Sequence, residues 1–211
     1  MKRQLCILSI LILATALPAA ATGINSSIHI ESGSAVDDDL STLNGQIRIG
    51  DGAIVRGDAE SVNGSVEVGR NVQLEGVATV NGDVEIGEGA VVDGGVETVN
   101  GSISMEFGSR AREVGTVNGS VELNGADIEN DVTTYNGDVT LREGTSVGGD
   151  IRISEANSRS NRRGQPLRIY VEDGSTVRGS VIVEDEDLEV EVYLRGGVVA
   201  GQIQGAKVIE K

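Results

Sequence analysis

Apolar residues recur along this chain in short alternating pairs rather than in helical stripes. From Val80 to Val99 they include Val80, Val84, Ile86, Ala90, Val92, Val96 and Val99. Val84 and Ile86, like Ala90 and Val92, are two residues apart, so each pair points to one side of a strand. Gly82, Gly87, Gly89, Gly94 and Gly95 separate the pairs, and glycine supplies the backbone freedom that corners demand. No run is long enough for a helix, and β-branched residues dominate. The unit reads as three short strands joined by three corners.

The unit repeats. Thr42-Leu43-Asn44-Gly45, Ser61-Val62-Asn63-Gly64, Thr79-Val80-Asn81-Gly82, Thr98-Val99-Asn100-Gly101, Thr116-Val117-Asn118-Gly119 and Thr134-Tyr135-Asn136-Gly137 are one phrase, with steps of 19, 18, 19, 18 and 18 residues. A regular step of that size marks a solenoid, in which each coil stacks on the last. The predicted fold is all-β: a single-stranded, three-sided parallel β-helix with coils of about 18 residues. From about residue 24 to 211 there is length for about nine to ten coils, a rod of roughly 45 Å at ~4.8 Å per coil. The composition, 38% apolar but only 2% aromatic, suits a narrow prism filled by Val, Ile, Leu and Ala.

The Asn-Gly corner is expected to use the tolerance of both residues for positive φ. Stacked in register, Asn44, Asn63, Asn81, Asn100, Asn118 and Asn136 form an amide ladder, expected to be a buried, stabilising network and not a binding row. The Thr or Ser two positions earlier is expected to form a second, exposed ladder.

Five segments follow in order. Residues 1–21 read as a secretory signal peptide: Lys2 and Arg3 precede the apolar run 5–17, and Ala19-Ala20-Ala21 offers a cleavage site before Thr22. The run is short for a membrane span. Residues 22–41 read as an irregular lead-in or cap, with one short strand at Ile28-His29-Ile30 and a solvated acidic turn at Asp37-Asp38-Asp39. Residues 42–153 hold the regular coils with the Asn-Gly ladder. Within them Phe107, the single phenylalanine, marks a bulge or a corner pocket. Residues 154–166 form a polar loop leaving one corner, and residues 167–211 are C-terminal coils and a cap. The loop arginines Arg159, Arg162 and Arg163 are candidates for contact with an anionic envelope polymer or another protein, or for docking on the molecule's own acidic surface.

Charge narrows the partners. The net charge is −16, and loss of residues 1–21, which carry Lys2 and Arg3 and no acid, makes it −18. Such a chain repels nucleic acid and anionic lipid. Cys6 is the single cysteine, so the exported chain has no disulfide or thiol chemistry. No catalytic, cofactor or metal site is expected. The single histidine, His29, has no evident partner. Carboxylates recur with the repeat, so their spacing carries no information. Gly87 and Gly89 belong to a corner with no helix after them. Asp37-Asp38-Asp39 lacks the alternating oxygen ligands and fixed glycine of a calcium loop.

Residues 47–153 resemble the polymer-forming bacterial proteins known as bactofilins. The likeness lies in Ile49-Gly50-Asp51-Gly52-Ala53-Ile54-Val55-Arg56-Gly57-Asp58 and Ile86-Gly87-Glu88-Gly89-Ala90-Val91-Val92-Asp93-Gly94-Gly95. The Thr-Val-Asn-Gly phrase is also similar to that of bacterial β-solenoid adhesins. The bactofilin resemblance implies a right-handed β-helix, end-to-end polymerisation without nucleotide, and a scaffold role near the envelope. An 18-residue coil also suits left-handed hexapeptide helices, whose pattern Ile86-Gly87-x-x-Ala90 fits. The export signal departs from that cytosolic family. Two functions therefore stand: a non-enzymatic envelope scaffold, self-associating through ends at Ile28 and Ile30 and at Val208, or an adhesin-like module presenting a flat acidic face to a glycan, cation or protein. The scarcity of rings (Tyr135, Tyr170, Tyr193 and Phe107) favours the scaffold, since glycan faces use exposed aromatic rows.

Overall fold

The computed structural model describes residues 21–155 and 165–210. The expected signal peptide, apart from Ala21, and the loop arginines Arg159, Arg162 and Arg163 lie outside them. Among the described residues there is no helix, and the strands stack in parallel as a β-solenoid of about nine turns. None of its elements is a helix long and apolar enough to cross a membrane.

Each coil lays one strand on each of three faces. The first face runs from Ile28–Ile30 through Val84–Ile86 to Lys207–Glu210. The second runs from Ala35–Val36 through Gln73–Leu74 to Val198–Val199. The third runs from Ala21–Gly23 through Val77–Asn81 to Ile203–Gln204. The segment 22–41, expected to be an irregular lead-in, already contains the strands Ile28–Ile30, Ala35–Val36 and Leu40–Thr42 and pairs with the next coil throughout.

Alternation fills the core as the pattern demands. Ile47, Ile49, Val66, Val84, Ile86, Ile103, Met105 and Leu123 point inward from the first face, and Val55, Leu74, Val92 and Ile128 from the second. Val77, Val96, Val114, Val132 and Ile151 point inward from the third. Each residue stacks on its equivalent one coil away, as Val84 does on Val66 and Ile103. Burial of this continuous aliphatic column, at roughly 25 cal/mol per Å2 of apolar surface, is what a lone coil lacks and stacking supplies.

The steps of 18 and 19 residues are differences in corner length. Gln73 pairs with Ile54, 19 residues back, whereas Val77 pairs with Ala59, 18 back. One residue is thus lost between the second and third faces. In the coil above it returns, as a bulge between Val92 and Gly95. The turn between first and second faces shortens once too: Met105 pairs with Leu123, 18 on, but Ala111 with Ile128, 17 on. The longer turn leaves Phe107 without an equivalent above it. Its ring lies over Gly125, where a methyl group would overlap it, and stays 62% exposed. Phe107 therefore fills no pocket.

Candidate functional site

The repeated phrase builds one corner of the rod, between third and first faces, and its three polar residue types do different work from that expected. The asparagine amides do stack. Asn63 Nδ2 donates to Asn44 Oδ1 at 2.8 Å, Asn81 to Asn63 at 2.8 Å, Asn100 to Asn81 at 2.9 Å and Asn118 to Asn100 at 2.9 Å. Asn136 closes the row on Asn118 at a longer 3.4 Å. The ladder nevertheless lies on the outside: Asn44, Asn63, Asn81, Asn100 and Asn118 are exposed. Asn25 adds a rung below, accepting from Asn44 Nδ2 at 2.8 Å. Its phrase, Gly23-Ile24-Asn25-Ser26, has Gly in the place of Thr and Ser in the place of Gly, but a step of 19 back from Asn44 lands on it.

The hydroxyl row is the buried one, contrary to expectation. Thr42, Ser61, Thr79, Thr98 and Thr116 are all at most 3% exposed. Ser61 Oγ donates to Gly45 O at 3.1 Å, Thr79 Oγ1 to Gly64 O at 3.0 Å, Thr98 to Gly82 O at 3.0 Å and Thr116 to Gly101 O at 3.1 Å. Each hydroxyl reaches the corner carbonyl of the preceding coil. Parity explains the placement, because Thr79 is two residues from inward Val77, whereas the strand ends at Asn81 and the chain turns outward. Thr134 is the exception among the described hydroxyls of this row: it is fully buried and its Oγ1 has no partner.

Glycine follows asparagine because coils approach closely, not because φ is positive. No ladder asparagine has positive φ, and Gly119 at 157° is near the extended region. A methyl on Gly64, Gly82, Gly101 or Gly137 would overlap the carbonyl oxygen of the equivalent glycine one coil below. Positive φ belongs to the turn between first and second faces, at Gly52 (69°), Asn71 (54°), Gly89 (65°) and Gly108 (73°).

Carboxylates stitch the coils. Asp39 Oδ1 accepts Asp58 N–H at 3.0 Å, Asp131 Oδ1 accepts Asp150 N–H at 2.8 Å, and Asp150 Oδ1 accepts Ser180 N–H at 2.7 Å. Asp51 accepts the Arg70 N–H and guanidinium, which hold its carboxyl below the usual range. Arg48 does the same for Glu67, at 2.7 Å. Asp58 and Glu60 go the other way. Burial pushes Asp58 up, helped by Asp39 and Glu75, and burial pushes Glu60 up, helped by Asp58 and Asp39. The acidic turn at 37–39 is thus partly built in: Asp37 pairs with Arg56, and Asp39 caps the coil above.

Three surface features remain. A trough of about 600 Å3 on the first face is lined by His29, Arg48, Glu67, Glu85 and Glu106 and floored by Gly50, Gly69 and Gly87. His29 lies 3.6 Å from Glu31 and is exposed. Near the C-terminal end Tyr170 and Tyr193 stack with centroids 4.9 Å apart and Arg195 over both rings. Parallel register makes neighbours of two rings 23 residues apart, yet they spend ring faces on each other. Tyr193 donates to Glu191 at 2.8 Å, which raises its phenol. Among the described residues no three His, Cys, Asp or Glu side chains are grouped so as to hold a metal ion.

The ends bring the predicted contact residues into the open. Ile28 and Ile30 face inward from the first coil, and Val208 from the last, stacked on Val192. Val192 is fully buried and Val208 is 42% exposed, with no described strand stacked over it. No family model matches this chain, and neither a curated protein nor a solved structure does.

Proposed function

We propose that this protein is an exported, non-enzymatic rod that joins end to end into a scaffold at the bacterial envelope. The observation that carries this reading is the state of the two ends. Among the described residues the strands Ile28–Ile30 and Ala35–Val36 at one end, and Val198–Val199, Ile203–Gln204 and Lys207–Glu210 at the other, have no partner on their outer side. Inward-facing Ile28, Ile30 and Val36 at one end, and Val199, Ile203 and Val208 at the other, are only partly covered. Unpaired strand edges around an uncovered core are templates for further strands, and a head-to-tail contact that does not close makes filaments.

The junction has a definable weakness. The described strands number ten on the first face, nine on the second and ten on the third. Stacking Ala21–Gly23 on Ile203–Gln204, and Ile28–Ile30 on Lys207–Glu210, leaves the second face one strand short. The joint is therefore weaker than a coil–coil contact within the rod. A charge of −18 on each exported copy, −16 less Lys2 and Arg3, opposes it over distances that salt shortens to ~8 Å. Association strengthens from low to moderate salt. The resemblance to bactofilins and the N-terminal export signal agree with this reading. The adhesin-like alternative draws on Tyr170, Tyr193 and Arg195, but this single stacked pair, flanked in register by Thr140 and Ile209, does not make the row of open ring faces that a sugar needs.

Sedimentation velocity tests the proposal. The purified protein is expected to show concentration-dependent species larger than monomer, increasing with salt. Val208→Lys and Ile30→Lys, which place a charge at an end, are expected to abolish them without loss of β circular dichroism. Monomer at every concentration and salt refutes the scaffold and moves the binding-module reading ahead.

A further inference from the structure

Seven Asn-Gly pairs stand in this chain, six of them in the repeated phrase and one at Asn124-Gly125. Asparagine before glycine is open to self-modification, because glycine has no side chain to shield its nitrogen from the asparagine amide carbon. Ring closure requires that the glycine N–H give up its proton and that the side-chain amide leave its partners. In the middle of the ladder both are engaged. Gly64 N–H donates to Asn81 O at 3.0 Å, Gly82 N–H to Asn100 O at 3.1 Å and Gly101 N–H to Asn118 O at 3.0 Å. The amides of Asn63, Asn81 and Asn100 are held above and below by ladder bonds of 2.8 or 2.9 Å. An amide bonded in this way is released only when the strand opens. At Asn118 the pattern breaks. The strands ending at Asn63, Asn81, Asn100 and Asn118 pair through their asparagines, but the strand above, Val132–Thr134, ends short of Asn136. Pairing stops at Thr116 with Thr134. Among the described residues Gly119 N–H donates to no backbone carbonyl. Asn118 Oδ1 accepts only the long 3.4 Å bond from Asn136, so its amide is firmly held on one side alone. Gly119 is half-buried, as are Gly64, Gly82 and Gly101, so solvent access does not distinguish it. Each remaining pair keeps one safeguard. Gly125 N–H donates to Arg142 O at 2.9 Å, Gly137 is buried, and the Asn44 amide is bonded at 2.8 Å on both sides.

The structure assigns Asn118 as a site of spontaneous, enzyme-free modification from which Asn63, Asn81 and Asn100 are protected. Solvent hydroxide takes the Gly119 amide proton, and the glycine nitrogen attacks Asn118 Cγ. The Cγ–Nδ2 bond breaks, and Nδ2 leaves as ammonia after taking a proton from water. Water then opens the five-membered imide at either carbonyl, leaving aspartate or isoaspartate. Nothing is oxidised or reduced. The product carries one more negative charge. Its carboxylate cannot donate to Asn100 Oδ1, so the ladder is cut at this rung. Isoaspartate also adds a methylene to the main chain, at a corner where a methyl on Gly119 would already overlap the Gly101 carbonyl. The rod thus acquires with age a charged mark at one corner, away from both ends and independent of end-to-end joining.

Residue-resolved mass spectrometry tests this on the full-length protein, incubated in mildly alkaline buffer made with heavy-oxygen water so that each conversion is labelled. The chain contains its own control. Thr98-Val99-Asn100-Gly101-Ser102 and Thr116-Val117-Asn118-Gly119-Ser120 are the same pentapeptide, so local sequence does not separate the two asparagines. In the folded protein, labelled aspartate and isoaspartate are expected to accumulate several-fold faster at Asn118 than at Asn100, and faster than at Asn63 or Asn81. In concentrated urea, where the stack is gone, Asn100 and Asn118 are expected to react at equal rates, both faster than in the fold. Equal rates in the folded protein, an Asn118 that stays intact, or a bias that persists in urea overturns the proposal. Sedimentation of the same samples reports end-to-end joining separately, since Asn118 lies in mid-rod.

Discussion

Removing one hydroxyl from the buried row tests how the corner is held. In Thr79→Val the shape of the side chain is kept and the 3.0 Å bond to Gly64 O is lost. Thr79 is fully buried, so no water replaces the donor. A buried acceptor left without its partner costs about 1–3 kcal/mol. Exchanging a hydroxyl for a buried methyl returns part of this, leaving about 1–2 kcal/mol. For a chain of this size that lowers the thermal midpoint by about 2–8 °C. The same row contains its own control. Thr134 is equally buried, but its hydroxyl bonds to nothing, so Thr134→Val is expected to be neutral or stabilising. Thermal and urea unfolding followed by circular dichroism compare the two, with an unchanged urea slope confirming that only stability moved. Equal effects of Thr79→Val and Thr134→Val, or a neutral Thr79→Val, refute the assignment of the corner to hydroxyl–carbonyl bonds.

Asn81→Ala breaks two amide bonds that lie in solvent, so it is expected to change stability by only about 0.5 kcal/mol. A midpoint drop as large as that of Thr79→Val counts against an exposed ladder. Gly101→Ala forces a methyl against the Gly82 carbonyl and is expected to cost more than Gly52→Ala, where space is open and only the positive φ resists, at about 1 kcal/mol. Urea midpoints rank the two. Glu60→Gln is expected to raise the thermal midpoint at neutral pH. Its folded-state pKa lies above the unfolded value, so ionisation costs stability as pH rises through that window, and the advantage of Gln vanishes below it. An unchanged difference between wild type and variant from pH 7 to pH 4 contradicts the burial and repulsion assigned to Glu60.

Much of this fold is legible in the sequence because alternation and a repeat step are local signals. Val84 with Ile86, and Ala90 with Val92, are inward from spacing alone, and the step from Asn63 to Asn81 sets the stacking. The hydroxyl row was legible too, from the parity of Val77 and Thr79. Assigning the buried place to the asparagines and the exposed one to the hydroxyls hides it. The role of Gly64 and Gly101 is not legible, since the distance between coils is a property of the stack and not of one coil. Asn25 escapes a search for the four-residue phrase. Tyr170 and Tyr193 become neighbours only because the last coils are longer. The trough over Gly50, Gly69 and Gly87 needs three coils in space.

Electron microscopy of the purified protein over a concentration series tests the scaffold most directly. It is to be produced from the full-length gene so that any N-terminal processing takes place. Filaments one rod wide, or chains of rods meeting at their tips, are expected to lengthen with concentration and with moderate salt, and to disappear in Val208→Lys. Single rods of roughly 45 Å, nine to ten coils at ~4.8 Å each, at every concentration and salt contradict it.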